Sequence, residues 1–132
     1  MRAFREAVEA GDMDAVEALL AEDVVFSSPA VFKPYPGKAI TAAILRGVVQ
    51  VFEDFRYVRE IGDPAGSDQV LVFTARVGDR ELTGCDILHV NEDGLIDDLM
   101  VMIRPLSGAQ ALAAAMGARF EQIAQEARAR SV

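Results

Sequence analysis

Residues 83–104 read TGCDILHVNEDGLIDDLMVMIR, two apolar runs joined by NEDG at 91–94. Such runs on either side of an Asn/Gly-containing turn predict a β-hairpin. In the second run Leu99, Val101 and Ile103 share one face, and Met100, Met102 and Arg104 the other. In the first, Asp86, Leu88 and Val90 lie opposite Cys85, Ile87 and His89. A half-exposed antiparallel sheet alternates apolar with polar residues, yet neither face of this hairpin reads as wet. One face therefore packs on helices. The other is expected to pack on a second copy of the sheet, giving a homodimer through the outer sheet face. The alternative is a monomer whose C-terminal helix covers the second face. Asp86 poses a separate question, because an unpaired carboxylate inside a sheet is costly.

The period of two extends upstream. QVLVFTARVGDRELTG places a turn at Gly78–Asp79, and RYVREIG, residues 56–62, precedes the turn DPAGSD. Before that the spacing is helical. Residues 2–10 form a short helix ended by Gly11, and Asp12 caps a second helix that runs to about Leu20. EDVVFSS is a strand stopped by Pro29, and PAVFKPYPGK, with three prolines, is a loop. KAITAAILRGVVQVFEDF returns to helical spacing, weakened by Gly47. A closing helix spans about 107–128, with Leu112, Met116, Phe120 and Ile123 on one face and a fraying tail. Helices on one face of a run of antiparallel strands make an α+β plan, read as a single domain over 1–132.

Composition narrows the function. The 132 residues are 52% hydrophobic with a formal net charge of −8, so the chain is globular rather than disordered. No basic cluster offers a nucleic-acid or anionic-membrane surface. No apolar run is long enough to span a bilayer, and the N-terminus has no signal-peptide character. One cysteine excludes an internal disulfide. The cytoplasm is the expected compartment.

The reactive residues are few. His89 is the only histidine, and no His/Cys/Asp cluster has metal-ligand spacing, so no metal is expected. Cys85 and His89 share a strand face but lie roughly 13 Å apart along it, too far for a nucleophile–base pair. Asp97 and Asp98 follow the turn, and alternation sends one of them inward. No phosphate loop, dinucleotide fingerprint or hydrolase elbow is present, and no cofactor is expected. Asp86 has two readings: a pocket acid that binds or polarises a ligand, or a structural carboxylate bonded to Arg46, Tyr57, Arg76 or water.

AGDMDAVEALLAEDVVFSSP, PGKAITAAI and GCDILHVNEDGLIDDLMV together resemble the nuclear transport factor 2-like superfamily, nearest its SnoaL-like and ketosteroid-isomerase-like groups. The resemblance implies a cone-shaped (cystatin-like) curved antiparallel sheet wrapped around a long helix, with N-terminal helices, a C-terminal helix and an apolar pocket. It also implies dimers through the convex face. Asp86 falls where ketosteroid isomerases carry an oxyanion-hole aspartic acid. By that analogy it points into the pocket beside Leu88, Val90, Leu99, Val101 and Ile103, stays protonated near neutral pH, and donates to a ligand oxygen. Phe4, Ser28, Tyr35, Phe55 and Phe73 complete the expected ligand-binding set, Tyr35 from a loop over the pocket mouth. The resemblance is incomplete. The isomerase base position is Ser28 and the first-helix tyrosine position is Phe4. The Arg-x-Asp of limonene-epoxide-hydrolase-like members meets Gly84 before Asp86, and their second aspartate meets Val101.

The expected function is binding of a small, mostly apolar molecule carrying a carbonyl or hydroxyl. Any chemistry would be cofactor-free proton transfer of isomerase, cyclase, dehydratase or epoxide-hydrolase type. The alternative is a non-catalytic ligand-binding or dimerisation module.

Overall fold

The structure, a computed structural model, describes residues 1–130. Its elements are α1 (Arg2–Glu9), α2 (Met13–Ala18), β1 (Leu20–Ser27), β2 (Tyr35–Pro36), α3 (Lys38–Val51), β3 (Glu53–Ile61), β4 (Asp68–Val77), β5 (Arg80–Val90), β6 (Ile96–Arg104) and α4 (Leu106–Arg130). The strands form a curved, unclosed six-stranded sheet in the order β2-β1-β6-β5-β4-β3. Strands β3 to β6 are the expected antiparallel meander. Strand β1, however, joins β6 in parallel, so the sheet is mixed rather than wholly antiparallel. Parallel neighbours need a long crossover, and here α3 and the whole meander lie between them.

Local chemistry sets the boundaries. Gly11 takes φ +69° between α1 and α2, and the Asp12 carboxylate accepts from the Ala15 amide at 3.1 Å. At the hairpin tip the Asn91 Oδ1 accepts from the amides of Asp93 (2.9 Å) and Leu95 (3.0 Å), and Gly94 supplies φ +78°. Helix α2 ends earlier than its apolar spacing implies, because the Leu19 carbonyl accepts from the Ile96 amide at 2.8 Å and Leu20 pairs with Ile96. Helix α3 likewise stops at Val51, and Phe52 and Phe55 leave it to join Tyr57 and Phe73 in an aromatic cluster with centroids 4.8–6.3 Å apart.

Helix α4 lies along α3 on the inner side of the sheet. A Cβ on Gly47 would stand 2.9 Å from Ile123 Cδ1, so the glycine that weakens α3 locally also admits α4 closely. The tail of α4 does not fray through Arg130. There the Arg130 Nε donates to Glu17 at 3.1 Å, and Glu17 also accepts from Arg46 at 2.9 Å. Ser131 and Val132 lie outside the described residues. Because α4 sits on the inner side, it does not cover the outer sheet face, as one expectation had it. Among the described residues no helix is long and apolar enough to cross a membrane.

Candidate functional site

Between the inner sheet face and the helices lies a cavity of about 520 Å³. Helices α3 and α4 form one wall with Ile44, Val48, Leu112, Met116 and Ile123, joined by Phe52 just past α3. Strands β3, β4, β5 and β6 form the opposite wall with Phe55, Tyr57, Phe73, Asp86 and Val101. Helix α1 adds Phe4, the β1–β2 connection adds Ser28 and Val31, and β2 adds Tyr35.

Asp86 is the buried acid of this wall, 8% exposed. Alternation along β5 turns it inward with Gly84 and Leu88. Tyr57 reaches it from β3 across the intervening strand β4, and its hydroxyl donates to Asp86 Oδ2 at 2.7 Å. Of the three partners that the sequence offered, the structure selects Tyr57. Arg46 binds Asp14 and Glu17, and Arg76 binds Glu53 and Asp54. Asp86 Oδ1 has no hydrogen-bond partner among the described residues.

Burial pushes the Asp86 carboxyl up to about 6, and the Tyr57 hydrogen bond restrains the rise. Burial first, then the Asp86 charge, pushes Tyr57 well above the usual phenol range, so the tyrosine remains a donor. The carboxyl is thus held well above the usual aspartate range.

Gly84 makes room for this arrangement. A Cβ there would lie 2.4 Å from Phe73 Cζ and 2.6 Å from Ile103 Cδ1. Phe73, cross-strand from Gly84, occupies that space and packs edge-on against Tyr57. Arg5 holds the far side of the tyrosine, its guanidinium 5.9 Å from the ring centroid and bonded to Glu9 and Glu60.

The expected ligand-binding set divides. Phe4, Ser28, Tyr35, Phe55, Phe73 and Val101 line the cavity with Asp86. Leu88, Leu99 and Ile103 are not among the described lining residues. Leu88 and Leu99 are 1% and 0% exposed and fill the core beneath the wall, while Ile103 fills the space above Gly84. Ser28 Oγ accepts from the Ala30 amide at 3.0 Å and shapes the loop. Tyr35 is paired with Phe26 and in ring contact with Phe26 and Phe120. Cys85 and His89 face away from the cavity on the outer side, where His89 Nδ1 meets Asp97 at 2.5 Å. Among the described residues no group of His, Cys, Asp or Glu could hold a metal ion.

The family model of the SnoaL-like domain matches residues 1–99. A steroid delta-isomerase from Pseudomonas aeruginosa is 43% identical, with a TM-score of 0.85 over 90% of this chain and 87% of that one. An uncharacterized bacterial protein with a cystatin-like fold, from Silicibacter pomeroyi, is 40% identical, with a TM-score of 0.89 over 98% and 91%. An NTF2-like protein of unknown function from Burkholderia xenovorans shares the fold at 19% identity, with a TM-score of 0.64 over 83% and 87%. No match was found among curated proteins.

Proposed function

Since this chain belongs to the SnoaL-like domain family of the nuclear transport factor 2-like superfamily, we propose that its cavity binds a small, mostly apolar, neutral ligand whose carbonyl or hydroxyl oxygen meets Asp86. One observation carries the reading: a buried carboxyl opens onto a ligand-sized cavity with one oxygen held by Tyr57 and the other unpartnered. No Lys or Arg lines the cavity among the described residues, which disfavours an anionic ligand.

The protonation state decides which oxygen is taken. Ionised, Asp86 Oδ1 accepts a hydrogen bond from a hydroxyl. Protonated, it donates to a carbonyl oxygen. Displacing water from the cavity disfavours the charged form further, so a ketone draws a proton onto Asp86 as it binds. The same carboxyl, titrating near neutrality, is the group that can exchange a proton with a bound substrate. A 43% identical steroid delta-isomerase supports isomerase-type proton transfer as the chemistry. Neither the cavity nor that chemistry calls for a cofactor or a metal. Ser28 stands where the isomerase group places its base, which leaves Asp86 as the proton-transfer group. We place the chain in the cytoplasm, where the free Cys85 thiol remains reduced.

The test uses 2-naphthol and 2-indanone as probes, titrated into the native chain and Asp86→Asn. Saturable 2-naphthol binding weakened about 10- to 100-fold in the variant, as expected for a hydrogen bond to a charged group, supports the reading. Affinity for 2-indanone should fall as pH rises through about 6, whereas 2-naphthol affinity should not. Equal binding to both proteins, or none to either, overturns it. Deuterium exchange of the 2-indanone α-protons, lost in the variant, would establish the catalytic level.

A further inference from the structure

Strand β3 is an edge of the sheet, with β4 as its single neighbour among the described residues. Its pairing with β4 slips on either side of Tyr57, once between Glu53 and Arg56 and again between Tyr57 and Arg59. Such irregularities interrupt the ladder and bend the strand that carries them. The residue that holds Asp86 therefore stands on weakly supported backbone. What the ladder lacks, α1 supplies. Arg5 lies over the Tyr57 ring, its guanidinium 5.9 Å from the centroid, within reach of a cation–π contact. The same guanidinium is fixed at both ends. Its Nη1 donates to Glu60, further along β3, at 2.6 Å, and its Nε donates to Glu9, one turn along α1, at 3.2 Å. Phe55 and Phe73 stand edge-on to the tyrosine ring. The ring is thus packed by two aromatics and a tethered cation, and its hydroxyl points to Asp86 Oδ2.

We propose that Arg5 is a positioning residue of the ligand site, given the reading of Asp86 as the acid that meets the ligand. By tying α1 to β3 over the Tyr57 ring, Arg5 keeps the tyrosine hydroxyl on Asp86 Oδ2 and leaves Oδ1 turned to the cavity. Arg5 is not among the described lining residues, so it acts through the tyrosine. The charges agree with that route. Asp86 answers to its burial and to the Tyr57 hydrogen bond. Of the charges felt at Tyr57, those of Asp86 and Glu9 push the phenol up, and that of Arg5 draws it down. A phenol drawn toward ionisation is a stronger hydrogen-bond donor, so the cation strengthens the bond that it also aligns. A neutral side chain in its place would lose both ion pairs and the cation. Strand β3 would then be free to shift at its two irregular points, and the Tyr57–Asp86 bond would weaken.

The test compares the native chain with Arg5→Met, Tyr57→Phe and the double variant. Each is followed by carboxyl-carbon NMR of Asp86 against pH and by titration with 2-naphthol at pH 8. Arg5→Met should move the Asp86 titration upward, because a weaker Tyr57 bond restrains the carboxyl less. It should also weaken 2-naphthol binding about 3- to 10-fold. In the double variant the titration should rise no further than in Tyr57→Phe alone, since the two residues act in series. A residue that merely fastened α1 would lower the urea midpoint and leave the Asp86 titration where it was. That outcome overturns the proposal, as do shifts that add in full in the double variant, or a shift with native 2-naphthol affinity. If circular dichroism shows Arg5→Met unfolded, Glu60→Gln, at a side chain 36% exposed, releases the same contact from β3 and should shift Asp86 in the same direction. A native chain that does not bind 2-naphthol, or an Asp86→Asn variant that binds it equally, fails the ligand reading alone, and the titrations still support or overturn the coupling of Arg5 to Asp86.

Discussion

On the inner face of β5, Gly84, Asp86 and Leu88 alternate; on the outer face, Cys85, Ile87 and His89 do. Each face carries one titratable group in a mostly apolar strand. Inside, the space left at Gly84 is filled by Phe73, and Asp86 is buried, held at one oxygen by Tyr57. Outside, the side chains are only half-buried and His89 meets Asp97 in water. The same alternation yields a shaped cavity on one side and an open, half-buried sheet surface on the other. What separates them is whether helices lie above. Packing, rather than residue type, fixes the energetic weight of each position.

The largest expected effect is therefore structural. Phe73 is 1% exposed and touches Phe52, Phe55 and Tyr57. Phe73→Ala should cost about 3–5 kcal/mol. Met102→Ala, at a side chain 55% exposed, should stay within about 0.5 kcal/mol. Urea denaturation of the two variants measures the contrast. Equal costs would mean that the faces do not differ in packing.

Next comes Asp86. Its folded-state value of about 6 lies above the usual aspartate value near 4. The native state therefore holds more protons than the unfolded chain between those values, and stability falls as pH rises through that window. Ionising the buried group costs on the order of 3 kcal/mol at neutral pH. Asp86→Asn should remove that slope and melt higher than native above pH 7, with the difference closing near pH 4. A variant that melts lower at every pH would show a structural acid rather than one kept for a ligand. Tyr57→Phe acts through the same pair with a smaller effect. It removes the hydrogen bond that restrains the carboxyl, so the Asp86 titration should move upward, with a loss of about 1–3 kcal/mol. Carboxyl-carbon NMR against pH reads the shift directly.

How much of this was legible beforehand follows from the range of the interactions. The hairpin at 83–104 was readable because alternation and turn chemistry act over a few residues, and it correctly turned Asp86 away from Cys85 and His89. The parallel β1–β6 pair was not, since it joins residues some 70 apart in sequence, Phe26 and Leu99 among them. The choice of Tyr57 over Arg46 and Arg76 depends on the width of β4 and on what else those arginines bind. Leu88, Leu99 and Ile103 shared the inward parity of Val101, but parity cannot distinguish cavity wall from filled core. The contribution of α4 was half visible. Leu112, Met116 and Ile123 formed an apolar stripe, but nothing in the stripe said that it would cover a cavity rather than the outer face.

The smallest effect tests the outer face. The Asp97 hydrogen bond, and behind it the Asp97, Asp68 and Asp98 charges, raise His89 above its usual value. A cation raised in the folded state stabilises at low pH, and that contribution disappears as pH rises through the folded value, the same sign of pH dependence as for Asp86. Here, however, both partners reach solvent, with side chains 43% and 30% exposed, so screening leaves little of it in the stability. Asp97→Asn should return the His89 imidazole toward its usual value in an NMR titration while leaving the urea midpoint nearly unchanged at pH 5 and pH 8. A midpoint that moved as far as in Asp86→Asn would mean that His89 is shielded from water.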